Sequence, residues 1–256
     1  MTEPCARFIR SHQELVEWLA LQVRFAEQLD HVARITAEAL AHPEAPEKPE
    51  ITAEDQLRKH ARLNFELSLC RCVDNYLAYL SELMALVFQC RPETLRSSEK
   101  VEIEFILKHE SLDELIEALT ERRVERLSYS GLVDLDADVR ERMGFELFAS
   151  DRDREEAARL VELRNLIVHK RAVVDRRYIA RTGDDRTPIG KRIPLRDSER
   201  EAIISFIPRL ACETDARAVA KWGLPAALSK PELAGDGSGD NRVRTDPTGT
   251  GSTEAE

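Results

Sequence analysis

Aromatic residues are scarce, only 5% of the 256 positions, and half of the ten glycines (Gly235, Gly237, Gly239, Gly249, Gly251) fall in the last 26. The body before them lacks the turn residues of an all-β fold built from many short strands, so helices are its expected content. Cysteines number five (Cys5, Cys70, Cys72, Cys90, Cys212), an odd count without repeated spacing. Neither a disulfide framework nor a zinc cluster is indicated, and no metal or other cofactor is expected. Cys70 and Cys72, two apart in a helical stretch, should point roughly 200° from one another. No run reaches the about 18 apolar residues of a membrane span, and no apolar segment follows the charges of the first ten residues. The expectation is a soluble, unprocessed protein of the reducing cytoplasm, with no membrane partner.

Charge is what the chain has in quantity: 34% of its residues are charged and the formal net charge is −10. That balance argues against a general nucleic-acid coat or an anionic membrane partner. Its distribution is uneven. Between Arg164 and Arg181 there are six basic residues (Arg164, Lys170, Arg171, Arg176, Arg177, Arg181) and one acidic residue, Asp175, so this segment carries +5 and the remainder −15. A polyanion would be drawn to the segment.

Read in order, Ser11-His12-Gln13-Glu14 has the form of a capping box. It opens a helix in which Leu15, Leu19, Val23, Ala26, Leu29, Val32, Ala37 and Leu40 recur until Pro43. Residues 42–51 form a loop rich in proline and glutamate. A second long helix runs from near Thr52 to about Cys90, and its Tyr76, Tyr79, Leu80, Leu83, Met84 and Phe88 read as bundle core rather than a ligand box. Val101 to Phe105 is a connector or short helix. Ser111-Leu112-Asp113-Glu114 caps a helix to about Leu127, ended by Tyr129-Ser130-Gly131, and a short helix follows from about Asp136 to Arg142, with Gly144 as its stop. The next helix spans Ser150 or Asp151 to Lys170; beyond it, Tyr178 is expected outside the helix. Thr182 to Pro194 is a loop beside that helix end, free to move. Ser198-Glu199-Arg200-Glu201 caps a last helix to about Trp222, which Pro208 should kink or split. From Pro231 onward the composition is that of a disordered tail. The organisation expected is all-α, with two long N-terminal helices: residues 1–51 an N-terminal helix and linker packing on the bundle, 52–230 the main helical domain, and 231–256 the tail.

One stretch carries chemistry: Glu162-Leu163-Arg164-Asn165-Leu166-Ile167-Val168-His169-Lys170. On a wheel of about 100° per residue, Leu160, Val161, Leu163, Ile167 and Val168 form an apolar face with Arg164 in its middle. An arginine there must find an anion, a partner subunit or a cleft. Asn165 and His169, i and i+4, share a face and can touch, whereas Arg164 and His169 diverge by about 140°. They converge if the arginine wraps round, if the helix loosens, or if two copies meet. Glu162 lies close to His169 on the wheel and could modulate it. The Arg-x4-His spacing is weak by itself, with roughly 0.7 matches expected by chance at this composition. Arg7 to His12 is a second match, in which Phe8 stands where Asn165 does. The bland reading of each residue is a dipole partner for His169, a solvated amide for Asn165 and a solvated basic face for Lys170 to Arg181.

The Arg164-Asn165-x3-His169 stretch resembles the signature of the HEPN superfamily of ribonucleases. Cys72-Val73-Asp74-Asn75-Tyr76-Leu77-Ala78-Tyr79-Leu80 is similar to the first long helix of one bacterial subgroup, and Val161 to Tyr178 to its catalytic helix and the turn after it. The similarity covers about Thr52 to Leu224; relatives often have Asn and Gly near Lys170 and Ala172, where this chain departs. The resemblance implies an all-α HEPN-like bundle that dimerises with the active site at the subunit interface. It also implies a metal-independent endoribonuclease that cleaves RNA by 2′-OH attack to a 2′,3′-cyclic phosphate. Arg164, Asn165 and His169 would be catalytic, Lys170, Arg171, Arg176 and Arg177 would bind RNA, and the role would be that of a toxin or antiviral effector, with an antitoxin or regulatory partner. The alternative is a catalytically silent HEPN module that binds RNA, nucleotide or a protein; a purely structural helical scaffold is the third reading.

Overall fold

The computed structural model describes residues 1–39, 51–95, 101–130, 132–194, 199–200 and 202–227, with side chains undescribed at 126–130. The expected disordered tail and the Ser198–Glu201 capping box lie outside the described residues or across their edge. The described residues are all-α: α1 (Glu3–Ala39), α2 (Ala53–Lys59), α3 (Ala61–Cys90), α4 (Ile103–Leu107), α5 (Leu112–Ser130), α6 (Leu132–Met143), α7 (Asp151–Lys170), α8 (Arg176–Thr182) and α9 (Ile207–Trp222). A 3-10 turn, Pro92–Leu95, follows α3, and a π-helical turn, Ala202–Phe206, leads into α9. The only extended pairing among them is an isolated antiparallel bridge, Val173 to Arg192. No helix of the described residues is long and apolar enough to cross a membrane.

α3 is the axis on which the others pack. Phe65, Leu69, Cys72, Val73, Tyr76, Tyr79, Leu80, Leu83, Met84, Val87 and Phe88 are buried along it, so the aromatic-rich stretch is core as its spacing indicates. At about 1.5–3 kcal/mol for each large apolar side chain fully buried, this helix dominates the stabilisation. α2 buries nothing. It is held by its ends: Thr52 and Asp55 form a reciprocal capping box, and Asp30 of α1 accepts the amides of Ala53 at 2.7 Å and Glu54 at 2.9 Å. The single long helix expected from Thr52 is therefore two, broken at His60, where the chain turns without a side-chain cap.

α1 begins at Glu3, eight residues before the capping box at Ser11, because its first turns are the part that is buried. Cys5 and Phe8 belong to the same core as α3 and α9. Thr2 donates its amide to Asp215 of α9 at 3.0 Å and its hydroxyl to the other carboxylate oxygen, and the Met1 carbonyl accepts from the Ala227 amide at 2.9 Å. Conversely, Leu29 and Val32, expected on the packed stripe, are exposed. Arg7 and His12 part company: Arg7 reaches outward to Glu82, while His12 is buried against Phe8 and 3.9 Å from the Cys72 thiol. This second motif copy builds no site.

Burial holds the His12 imidazole below its ordinary value, only partly offset by a backbone hydrogen bond at Ile204. The unfolded chain therefore binds this proton more readily than the folded one, and stability rises with pH across that window. The urea midpoint is expected to fall as pH drops below about 6.5 and to level off under the folded value. His12→Phe should remove this component; equal midpoint losses in both proteins between pH 8 and pH 5 would assign the dependence elsewhere.

The later elements follow the sequence with three changes, the first being that α5 runs to Ser130 and α6 begins at Leu132, where about Leu127 and about Asp136 were expected. α5 opens at Leu112 with the Ser111 hydroxyl accepting the Glu114 amide at 3.2 Å, and α6 stops at Gly144, whose φ of 58° suits glycine. Pro208 sits in the first turn of α9 behind the π-helical turn, so it splits the last helix as anticipated. Tyr178, expected outside any helix, is in α8, whose start Asp175 caps by accepting the Tyr178 amide at 2.8 Å. The loop after it is tied down. Val174 donates to Lys191 at 2.9 Å, Gly190 to Val174 at 2.8 Å and Ile193 to Ala172 at 2.8 Å, while Arg192 pairs with the largely buried Glu66 of α3.

Candidate functional site

The candidate residues sit at the C-terminal end of α7. Ser150 caps its start by accepting the Asp153 amide at 3.1 Å, Asp151 and Asp153 occupy the first turn, and His169 and Lys170 the last, in accord with the helix dipole. The helix ends through two consecutive left-handed residues, Arg171 at φ 52° and Ala172 at φ 61°. Both amides are spent on the Leu166 carbonyl, the Ala172 bond measuring 3.0 Å, so the last turn closes on itself directly below the site. A left-handed L-residue costs about 1–2 kcal/mol. Ala172 is fully buried and its methyl is part of the core, but Arg171 is exposed. Arg171→Gly is thus expected to raise stability by about 1 kcal/mol; an unchanged or lower urea midpoint would contradict that strain.

Arg164 has found its anion within the chain. Its Nε lies 2.8 Å from Asp74 Oδ1 of α3, an ion pair whose N–H is not aligned on the oxygen, and its Nη1 donates to Asn165 Oδ1 at 3.1 Å. The side chain is half-buried, 24% exposed, and neither contact uses Nη2. The guanidinium reaches Asn165, its neighbour in sequence, and is not among the residues that line the cavity with His169, so none of the three routes to convergence is seen within this chain. Leu160, Val161 and Leu163 are buried as the wheel has them, but Val168 is 50% exposed and Leu166, left off that face, is buried. α8 packs on α7 and gives this end of the helix a second covered side, whereas Val168 lies in the last turn beside His169 and Lys170.

Asn165 and His169 line one cavity of about 230 Å³, together with Glu162, Leu166, Lys170, Asp175, Arg177 and Tyr178. Its walls come from the end of α7 and the start of α8, which Asp175 positions as cap. Burial raises the Tyr178 phenol above its ordinary range, with the nearby Asp184 carboxylate adding to the effect. Glu162 is engaged by Arg181, so the residue that could modulate His169 is paired elsewhere and one basic charge of the segment is neutralised. Of the other basic candidates, Lys170 and Arg177 line the cavity, while Arg171 and Arg176 are exposed residues that do not. The arrangement offers an amide and an imidazole in a polar, open hollow, with a guanidinium outside the lining that is bonded to the amide.

Three participants were not assigned a role from the sequence. Asp74 stood within the quoted α3 stretch, but its carboxylate gains meaning only from the packing of α3 on α7. Asp175 and Tyr178 enter through α8, a helix of seven residues whose only local signal is the Asp175 cap. Among the described residues, no group of three or more His, Cys, Asp or Glu is placed to hold a metal ion. All five cysteines are free, and burial pushes the Cys72 thiol up to about 12. Compared with protein-family models, curated proteins and solved structures, the chain matches none.

Proposed function

We propose that the chain is a metal-independent endoribonuclease of the HEPN kind, its all-α body a HEPN-like bundle. The observation that carries this reading is the linked trio: Arg164 bonded to Asn165, and Asn165 sharing one cavity with His169. RNA brings its own nucleophile. A base removes the proton of the 2′-OH, the oxygen attacks the adjacent phosphorus, and the bond to the 5′ oxygen breaks as that oxygen takes up a proton. The products are a 2′,3′-cyclic phosphate and a 5′-OH. Histidine is the side chain suited to exchanging a proton near neutral pH, so His169 takes the base or acid role. Arg164, with Nη2 uncommitted in its two contacts, supplies charge-assisted hydrogen bonds to the scissile phosphate. Asn165 holds the guanidinium toward the cavity, and Lys170 and Arg177, with Arg171 and Arg176 outside it, attract the polyanion.

The decisive experiment is incubation of the purified protein with several single-stranded RNAs in EDTA near neutral pH. Cyclic phosphate ends on RNA and none on DNA of the same sequence are expected; intact RNA throughout would sink the reading. A cytoplasmic toxin or antiviral effector, held in check by an antitoxin or regulatory partner, is the role that such an activity fits.

Asp74 favours a second reading, a silent HEPN module that binds RNA, nucleotide or a protein, because its carboxylate already occupies the arginine meant for phosphate. The two readings differ in one variant. If Asp74 orients Arg164, Asp74→Ala lowers kcat about tenfold, or about 1.4 kcal/mol, with KM little changed. A gain in RNA affinity without cleavage would identify Asp74 as a competitor for the anion.

A further inference from the structure

Among the described residues, none covers one face of α1. Trp18, Leu21, Phe25, Leu29, Val32 and Ile35 are each between 47% and 60% exposed. Their spacings are all threes or fours, which puts them on one arc of about 120°. Leu19, Val23 and Ala26, on the opposite side of the helix, turn to the cleft against α2 and α3. α1 is therefore apolar twice over: one face meets its own bundle across a cleft in which Ala26 is buried and Val23 stays 48% exposed, and the other meets none of the described residues.

Charge narrows the occupant. Residues 11–39 carry five acidic side chains and two basic ones, with Glu14 and Glu17 at the Trp18 end of the stripe. RNA and anionic lipid are repelled there. The stripe is, however, its own complement. Trp18, Phe25 and Val32 recur at intervals of seven, as do Leu21, Gln28 and Ile35, the two-position repeat of a helix seam. An antiparallel copy can be set so that Trp18 meets the partner's Ile35, Leu21 the partner's Val32 and Phe25 the partner's Gln28, with Leu29 at the edge of the seam against the stem of the partner's Arg24. Each contact then recurs across a two-fold axis, as an isologous interface requires. Sliding the copies by one heptad in one direction sets Val32 against Glu14 and Ile35 against Ser11; sliding them in the other leaves Trp18 beyond the partner's helix. At roughly 100 Å² for each exposed side chain, the stripe offers about 600 Å² per copy, the upper limit for a patch on a monomer. Two copies bury about 1,200 Å², the threshold of a specific interface.

We infer that α1 is a dimerisation helix whose outer face docks antiparallel on the same face of a second copy of this chain. The inference does not rest on the ribonuclease reading. The polar contacts of α1 and α7 fall on different residues of α3: Asn64 and Cys72 meet α1, while Asp74 meets α7. The stripe contains none of the site residues, so pairing through it leaves each copy with its own Arg164, Asn165 and His169.

Sedimentation equilibrium at tens of micromolar should return twice the 29.1 kDa of one chain. Phe25→Glu combined with Val32→Glu should return the single-chain mass with unchanged far-UV circular dichroism and melting temperature, because both positions are 60% exposed. In a background with Cys90 and Cys212 changed to serine, oxidation of the Trp18→Cys/Ile35→Cys variant should give an interchain disulfide joining positions 18 and 35. A single-chain mass for the wild type overturns the inference, as does a dimer that survives the two glutamates. A disulfide joining position 18 to position 18 overturns the antiparallel register. A monomer that floats with neutral phosphatidylcholine vesicles would give the face to lipid instead.

Discussion

His169→Ala is expected to slow RNA cleavage by about 10²–10⁴-fold, the range for loss of a positioned proton-transfer group. Arg164→Ala should cost at least as much as one lost donor to the transition-state oxyanion, about 10²–10³-fold in kcat. Neither change should unfold the protein: His169 is exposed in the last helical turn, and Arg164 keeps part of its surface in water. Both measurements need single-turnover rates on a defined RNA, with circular dichroism confirming that α7 persists. Cleavage that survives either substitution would remove that residue from the chemistry. Mixing the two inactive variants asks where the site ends. If two chains pool their groups, mixing restores activity to a substantial fraction of wild type; if one chain holds the trio, the mixture stays dead.

The largest loss of stability outside the apolar core is expected from Asp215→Ala. Asp215 is 2% exposed and accepts both the amide and the hydroxyl of Thr2, itself fully buried. Removing it leaves two buried donors without acceptors, which costs about 3 kcal/mol. For a chain of this size that is about 10 °C in melting temperature. Asp215→Asn keeps one carbonyl acceptor and should lose about half as much. A shift below about 2 °C for the alanine variant would show that water replaces the carboxylate and that the N-terminal turn is not held by it.

How far the sequence reached can be judged from particular elements. α7 was legible to the residue at both ends, because a serine cap, an acidic first turn and a basic last turn all agree with the apolar period. The α3 core was legible for the same reason. The start of α1 was misplaced because a local signal, Ser11 to Glu14, competes with a nonlocal one: the first turn is helical where Cys5 and Phe8 find α3 and α9, and no local pattern reports that. Periodicity also cannot distinguish an apolar face that its own bundle covers from one it leaves open, so Leu29 and Val32 were placed inside. At the site, the shared face of Asn165 and His169 was legible, and the anion that Arg164 pairs with was not. The wheel gives directions from an axis, but a guanidinium on a long stem can reach round it, and Asp74 acts from another helix altogether.

The contact between Thr2 and Asp215 joins residues 213 positions apart. During synthesis at 5–20 residues per second, the first turn of α1 therefore waits roughly 10–40 s before its acceptor has even been made. Over that interval Cys5 and Phe8 have no α9 to cover them, and the outer stripe of α1 is equally bare. Nascent chains on neighbouring ribosomes thus expose the same apolar helix face at the same time, before either has an α9 to close its first turn.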